Sequence, residues 1–224
     1  MPLTNYGEAS VLGTVFGNST AQPTTAQAWN VGLITVTGVW TASTAYTVGQ
    51  LVIPTNFATS SPTPENRIFR CTTAGTTGST QHATWTAGTA TAAGTTTDGG
   101  VTWTEATSWF YIYSNIVGYE VGTGVGYSRL AATNTYGTSG SNSWLAPATP
   151  SSYPGSASTN FNNPLSFGPS TGSWGNVAGF FLIPSAGSPS GPYAWNTLSN
   201  YVPMLTSGMT LTLPATTGIT VTLT

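Results

Sequence analysis

Charge is nearly missing from this sequence of 224 residues: three arginines, five carboxylates, no lysine and a single histidine. Charged side chains are 4% of the chain, against about a quarter in an average soluble domain. A nucleic-acid binder needs a stripe of Lys and Arg to displace counterions from phosphates, and three arginines do not make one. Proton chemistry gathers carboxylates, His or Lys in a pocket; the whole inventory here is Glu8, Glu65, Asp98, Glu105, Glu120, Arg67, Arg70, Arg129 and His82. No G-x-S-x-G elbow, phosphate-binding loop or paired-carboxylate motif is present. The sequence reads as non-enzymatic, with no catalytic residues and no cofactor.

Other absences narrow the class further. With one cysteine, Cys71, there is no internal disulfide framework, and Cys71 reads as a buried small apolar group. Met1-Pro2-Leu3-Thr4-Asn5 lacks the basic start and apolar run of a signal peptide. No segment has the eighteen or so uninterrupted apolar residues of a membrane helix. The expectation is a chain made in the cytoplasm, without a membrane partner. His82 has no second His or Cys at ligand spacing, so it reads as solvated and no metal is expected. Asp98 would bind Ca²⁺ only if carbonyls converged on it.

What is present is aromatic and hydroxylic. Aromatic residues make up 12%, eight of them Trp, and the net charge is −2. Disordered chains have few aromatics and high net charge, so a packed core is expected. So small a net charge protects a free monomer poorly against association, and suits a subunit of a large assembly.

One stretch reads as helix, Asn5 to Phe16, where Val11, Leu12, Val15 and Phe16 recur at three- and four-residue spacing behind an Asn5/Glu8 cap. The rest reads as short strands. Trp29 to Val36 is rich in β-branched residues, and Phe180-Phe181-Leu182-Ile183 is an apolar run fit for a strand buried on both faces. Met209–Leu213 and Ile219–Leu223 alternate apolar residues with Thr. Punctuated by 27 Gly and 15 Pro, the class is all-β: a sandwich or barrel with one short N-terminal helix and an inserted small β module.

The insertion is placed at 38–108, and residues 1–37 plus 109–224 form the interrupted β domain. Long insertions are cheap in closure entropy. A self-contained module is therefore expected, removable by joining Thr37 to Trp109. Asp98-Gly99-Gly100 reads as a hairpin turn. Asp98 and Glu105, seven apart across it, are the one candidate for a glycosidase-like carboxylate pair, but no further acidic or basic residue is evident to tune either, and the enzymatic reading is set aside. Glu120 and Arg129 face each other across a glycine-rich turn as an exposed ion pair, stabilising by well under ~1 kcal/mol. Trp174-Gly175 after Ser173 reads as a turn that folds the indole onto the core.

Four pieces of the flanks, LTNYGEASVLGTVFG at 3–17, YEVGTGVGYSRLAAT at 119–133, LSFGPSTGSWGNVAGFFLIPSA at 165–186 and SGMTLTLPATTGITVTLT at 207–224, resemble a family of tailed-bacteriophage virion proteins described as tail-fibre-like or head proteins. Several acidic positions of that family are Thr or Ser here. The insertion, with Trp40-Thr41-Ala42-Ser43-Thr44-Ala45-Tyr46-Thr47-Val48-Gly49-Gln50-Leu51-Val52, then Phe69-Arg70-Cys71, then Trp103, resembles the small carbohydrate-binding modules of chitinases. That resemblance implies stacking of sugar rings on exposed aromatics, for which Trp40, Tyr46, Trp85 and Trp103 are the candidates. The same rings also serve as the core of a domain too small to have another, the reading preferred for Trp40 and Trp103 and left open for Tyr46 and Trp85. Together the resemblances imply a virion protein assembled in the bacterial host cytoplasm, a capsid decoration or cement protein. Its partners would be the major capsid protein or other virion proteins, in a homotrimer, with host surface glycans as a further partner. The alternative is a tail fibre or receptor-binding tail protein contacting host polysaccharide.

Overall fold

The computed structural model describes residues 29–54, 67–81, 85–88, 92–106, 116–136, 142–144, 157–185, 194–215 and 217–223. The helix expected at Asn5–Phe16 lies outside them, as does His82. Within them the protein is all-β. Strand β1 (Trp29–Val36) comes first. Seven strands follow within 38–108: β2 (Gly38–Val39), β3 (Ala45–Tyr46), β4 (Leu51–Ile53), β5 (Phe69–Thr73), β6 (Gly75–Thr76), β7 (Thr95–Asp98) and β8 (Val101–Glu105). After a 3-10 turn at Ile116–Tyr119 come β9 (Leu130–Tyr136), β10 (Ser143–Trp144), β11 (Ala157–Asn160), β12 (Leu165–Phe167), β13 (Gly175–Pro184), β14 (Ala194–Met204), β15 (Leu211–Leu213) and β16 (Thr220–Leu223).

The strands sort by zone. The flanks form a five-stranded sheet, β10-β9-β1-β13-β14, with the pairs β11-β16 and β12-β15 beside it. The insertion forms its own five-stranded sheet, β2-β4-β5-β8-β7, and the pair β3-β6. We call these the flank lobe and the inserted lobe.

The centre of the flank sheet is the antiparallel pair β1–β13, and both strands are buried on both faces. Val31, Leu33, Phe180 and Leu182 point into the flank core with Phe167 and Trp174. Ile34, Val36, Phe181 and Ile183 point the other way. A continuous apolar run is what such a strand requires. Gly32 pairs with Phe181, and a Cβ on Gly32 would lie 2.2 Å from the Phe181 ring; glycine is there because the ring lies over its backbone. Trp174 is buried as its turn suggested. Its indole N–H donates to the Val125 carbonyl at 2.8 Å, and its ring meets Tyr127 edge-on at 5.5 Å. Gly175 takes a φ of +76°, which lets the chain turn from the buried indole straight into β13.

The expectation of a self-contained module needs amending. Ile34, Val36, Ala178, Phe181 and Ile183 of the flank lobe share one apolar cluster with Leu51, Ile53, Ile68 and Ala106 of the inserted lobe. Around it, the Thr37 N–H donates to the Leu51 carbonyl at 2.9 Å, and the Asn176 amide donates to the Thr37 carbonyl at 2.8 Å. Each lobe has a core of its own, and this third core belongs to both.

Glu120 and Arg129 do pair, but not as an exposed, isolated contact. Arg129 donates through Nε and Nη2 to the two Glu120 oxygens at 2.8 and 2.7 Å, and the Glu120 side chain is only 13% exposed. The Tyr127 hydroxyl donates to Glu120 at 2.8 Å and accepts from the buried Leu33 N–H at 2.9 Å. Arg129 also lies 5.4 Å from the centre of the Phe181 ring, within cation–π range. The network therefore ties the 121–129 loop to β1. Burial pushes the Tyr127 phenol well above its ordinary value of 10.0. A raised folded value stabilises the fold fully below the unfolded value, and that stability is lost as pH rises past it. Wild type should therefore lose stability in alkali above that ordinary value, as followed by urea unfolding at a series of pH values. Tyr127→Phe should flatten this dependence. At neutral pH it should cost about 1–3 kcal/mol, because the Leu33 N–H is left without its acceptor.

Candidate functional site

The inserted sheet has two unlike faces, dictated by period-two alternation along β5, β7 and β8. On one face Val52, Phe69, Cys71, Val101 and Trp103 make a core. Tyr46 meets Trp103 edge-on at 5.0 Å, Phe69 meets Trp85 at 4.7 Å, and Trp85 lies 5.9 Å from Trp103. Trp85 and Trp103 are 1% and 0% exposed, and Tyr46 is 6% exposed. Tyr46, Trp85 and Trp103 are thus corrected as glycan contacts: with seven short strands to stabilise, the lobe spends its largest rings on its own interior. Trp40 is half-buried against this core, and its indole N–H donates to Asp98 Oδ2 at 2.6 Å. Cys71 is buried, and desolvation raises its thiol above the ordinary value.

The carboxylates of this lobe are also turned inward. Asp98 Oδ1 accepts the Gly78 N–H at 3.3 Å, so both its oxygens hold neighbouring backbone and indole. Glu105 is fully buried, accepts from Arg67 Nη1 at 2.5 Å and from the Gly88 N–H. Asp98 pairs with Val101 across the Gly99-Gly100 turn, which is the hairpin the sequence suggested. Glu105 is four residues further along β8, roughly 13 Å away at strand rise. The hairpin therefore separates the two acids, to opposite ends of one core, and they do not form a glycosidase-like pair. Among the described residues, no three His, Cys, Asp or Glu side chains gather to hold a metal.

The opposite face is polar where it is open. Near the joint, Leu51, Ile53, Ile68 and Ala106 cover the flank sheet. Beyond them, Thr95 and Thr97 of β7 and Thr72 of β5 are exposed, with Thr102 and Thr104 of β8 half-exposed between them. Register fixes their order: Thr95 pairs with Thr104, which pairs with Arg70, while Thr97 pairs with Thr102. Thr72 Oγ1 lies 3.2 Å from Thr104 Oγ1 and donates to the Thr102 carbonyl at 3.2 Å. The result is a hydroxyl-bearing face with Arg70 at its inner border.

Arg70 also lines a cleft of about 500 Å³ between the lobes, walled by Thr35, Val36, Thr37 and Tyr119 on the flank side and by Gly49 and Leu51 on the other. Arg67 and Arg129 each hold a glutamate; Arg70 has no carboxylate partner among the described residues. Sequence reasoning did not single out Arg70 or the hydroxyl-bearing face. The signal was there in part: Thr-x-Thr occurs on both sides of Asp98-Gly99-Gly100, which a two-residue hairpin must place side by side on one face. Comparison with known proteins finds no matching family model, no similar curated protein and no similar solved structure.

Proposed function

We propose that this protein is a non-enzymatic structural subunit of a tailed-bacteriophage particle, a capsid decoration or cement protein whose flank lobe anchors it and whose inserted lobe is displayed outward. The observation that carries a structural over a catalytic role is the use of the carboxylates: Asp98, Glu105 and Glu120 each hold loops or neighbouring side chains to strands. The virion assignment rests on the four family-like pieces, of which those at 119–133, 165–186 and 207–224 contribute to the flank lobe and its core. A surface this poor in charge buries against neighbours with little desolvation cost. The partners are the major capsid protein or other virion proteins, with the copies grouped as trimers. A tail-fibre or receptor-binding role is the second reading, favoured by the open hydroxyl face of the inserted lobe. Treating purified particles with mild denaturant should release the protein and lower the heat resistance of the heads. Particles whose heat resistance is unchanged after complete release would contradict the cement role.

A further inference from the structure

We propose that the outer face of the inserted sheet, from Thr95 and Thr97 across Thr102, Thr104 and Thr72 to Arg70 at the cleft, binds a carboxylate-bearing polysaccharide chain. This rests on the reading of the inserted lobe as a displayed module, and it relocates the glycan contact from the aromatic face to the opposite one. Three observations carry it. First, Tyr46, Trp85 and Trp103 are buried in the core and Trp40 is half-buried against it, whereas Thr72, Thr95 and Thr97 are exposed and Thr102 and Thr104 half-exposed between them. Neighbouring strands set hydroxyls about 4.8 Å apart and alternate residues set them roughly 6.7 Å apart along a strand. A repeating chain of hydroxyls meets a repeating chain of donors and acceptors on such a face.

Second, among the described residues the charge on this face has one sign. Arg70 is the arginine without a carboxylate partner among the described residues, and Asp98 and Glu105 point away from it, into the core on the other side of the sheet. A guanidinium at the border of a low-charge surface is a bidentate receptor for a carboxylate. One arginine is too little for a phosphate backbone, which requires several cations. Third, Arg70 is shared with the cleft, whose volume of about 500 Å³ lies in the ordinary range for small-ligand sites. A chain lying on the threonines would bring a sugar carboxylate to Arg70 at the cleft mouth, against Tyr119.

The test is affinity electrophoresis of the full-length protein in gels containing polygalacturonate or alginate, beside fully methyl-esterified polygalacturonate and poly-glutamate. Wild type should be retarded by the two acidic polysaccharides, and far less by the esterified polymer. Arg70→Gln should weaken that binding roughly tenfold or more, the scale of a lost charge-assisted hydrogen bond, with near-ultraviolet circular dichroism unchanged. Thr102→Val with Thr104→Val keeps shape and strand preference while removing two hydroxyls, and should weaken binding several-fold. Wild type retarded by neither polysaccharide, Arg70→Gln binding like wild type, or equal retardation by the esterified polymer would each overturn the proposal. Poly-glutamate binding as tightly as polygalacturonate would overturn the sugar assignment. None of these outcomes bears on particle incorporation, which is measured separately.

Discussion

A chain from which residues 38–108 are removed, with Thr37 joined to Trp109 through a short Gly/Ser linker, is expected to aggregate rather than fold. The deletion strips the covering from Ile34, Val36, Phe181 and Ile183, which face the inserted lobe in the shared core. Uncovering four such side chains costs roughly 6–12 kcal/mol at ~1.5–3 kcal/mol each. That matches the whole stability of an ordinary domain, ~5–15 kcal/mol. Closure entropy alone favours the opposite outcome, which is why the sequence suggested a removable module; the energy lies instead in the joint. Replacing Ile34 and Phe181 by Ser and Thr in the deleted chain should partly restore solubility. A deleted chain that is monomeric and unfolds at the wild-type urea midpoint would show that the shared core contributes little.

Trp174→Ala should be the most damaging single substitution in the flank lobe. The indole is 3% exposed, packs edge-on to Tyr127 and satisfies the Val125 carbonyl. Truncation leaves a cavity the surrounding strands fill only in part, at a cost of about 3–5 kcal/mol. It also frees the 121–129 loop, which carries Tyr127 and Arg129, and particle incorporation should fail. Trp174→Phe retains most of the packing and loses the hydrogen bond, so its cost should lie well below that of alanine. Urea midpoints of the two variants, compared with wild type, check both values.

The fold class was legible because it depends on short-range pattern. The run Phe180–Ile183 is short enough for a strand with two buried faces, and Leu211–Leu213 alternates as a strand with one. Asp98-Gly99-Gly100 carries the residues of a hairpin turn, and Ser173-Trp174-Gly175 reads as a turn that folds the indole inward. What the pattern does not contain is which apolar face meets which. Ile34 and Val36 alternate with Leu33 whether their partner is a second lobe or solvent. Leu51, Ile53, Ile68 and Ala106 are brought to them by pairings far apart in sequence. The ring side chains fail for a related reason: a flat apolar group suited to a sugar is equally suited to a core, and only burial separates the roles for Tyr46, Trp85 and Trp103. Asp98 and Glu105 illustrate the same limit, since spacing across a hairpin was correct and register then placed them at opposite ends. Arg70 was silent because a lone arginine acquires meaning only from the partners it lacks.

The most direct measurement is labelling of purified phage particles with antibody raised against the full-length protein, imaged by electron microscopy. The account predicts label spread over the head surface in many copies per particle. Label confined to the tail would transfer the role to host attachment, and particles that carry no label at all would contradict a virion subunit of either kind.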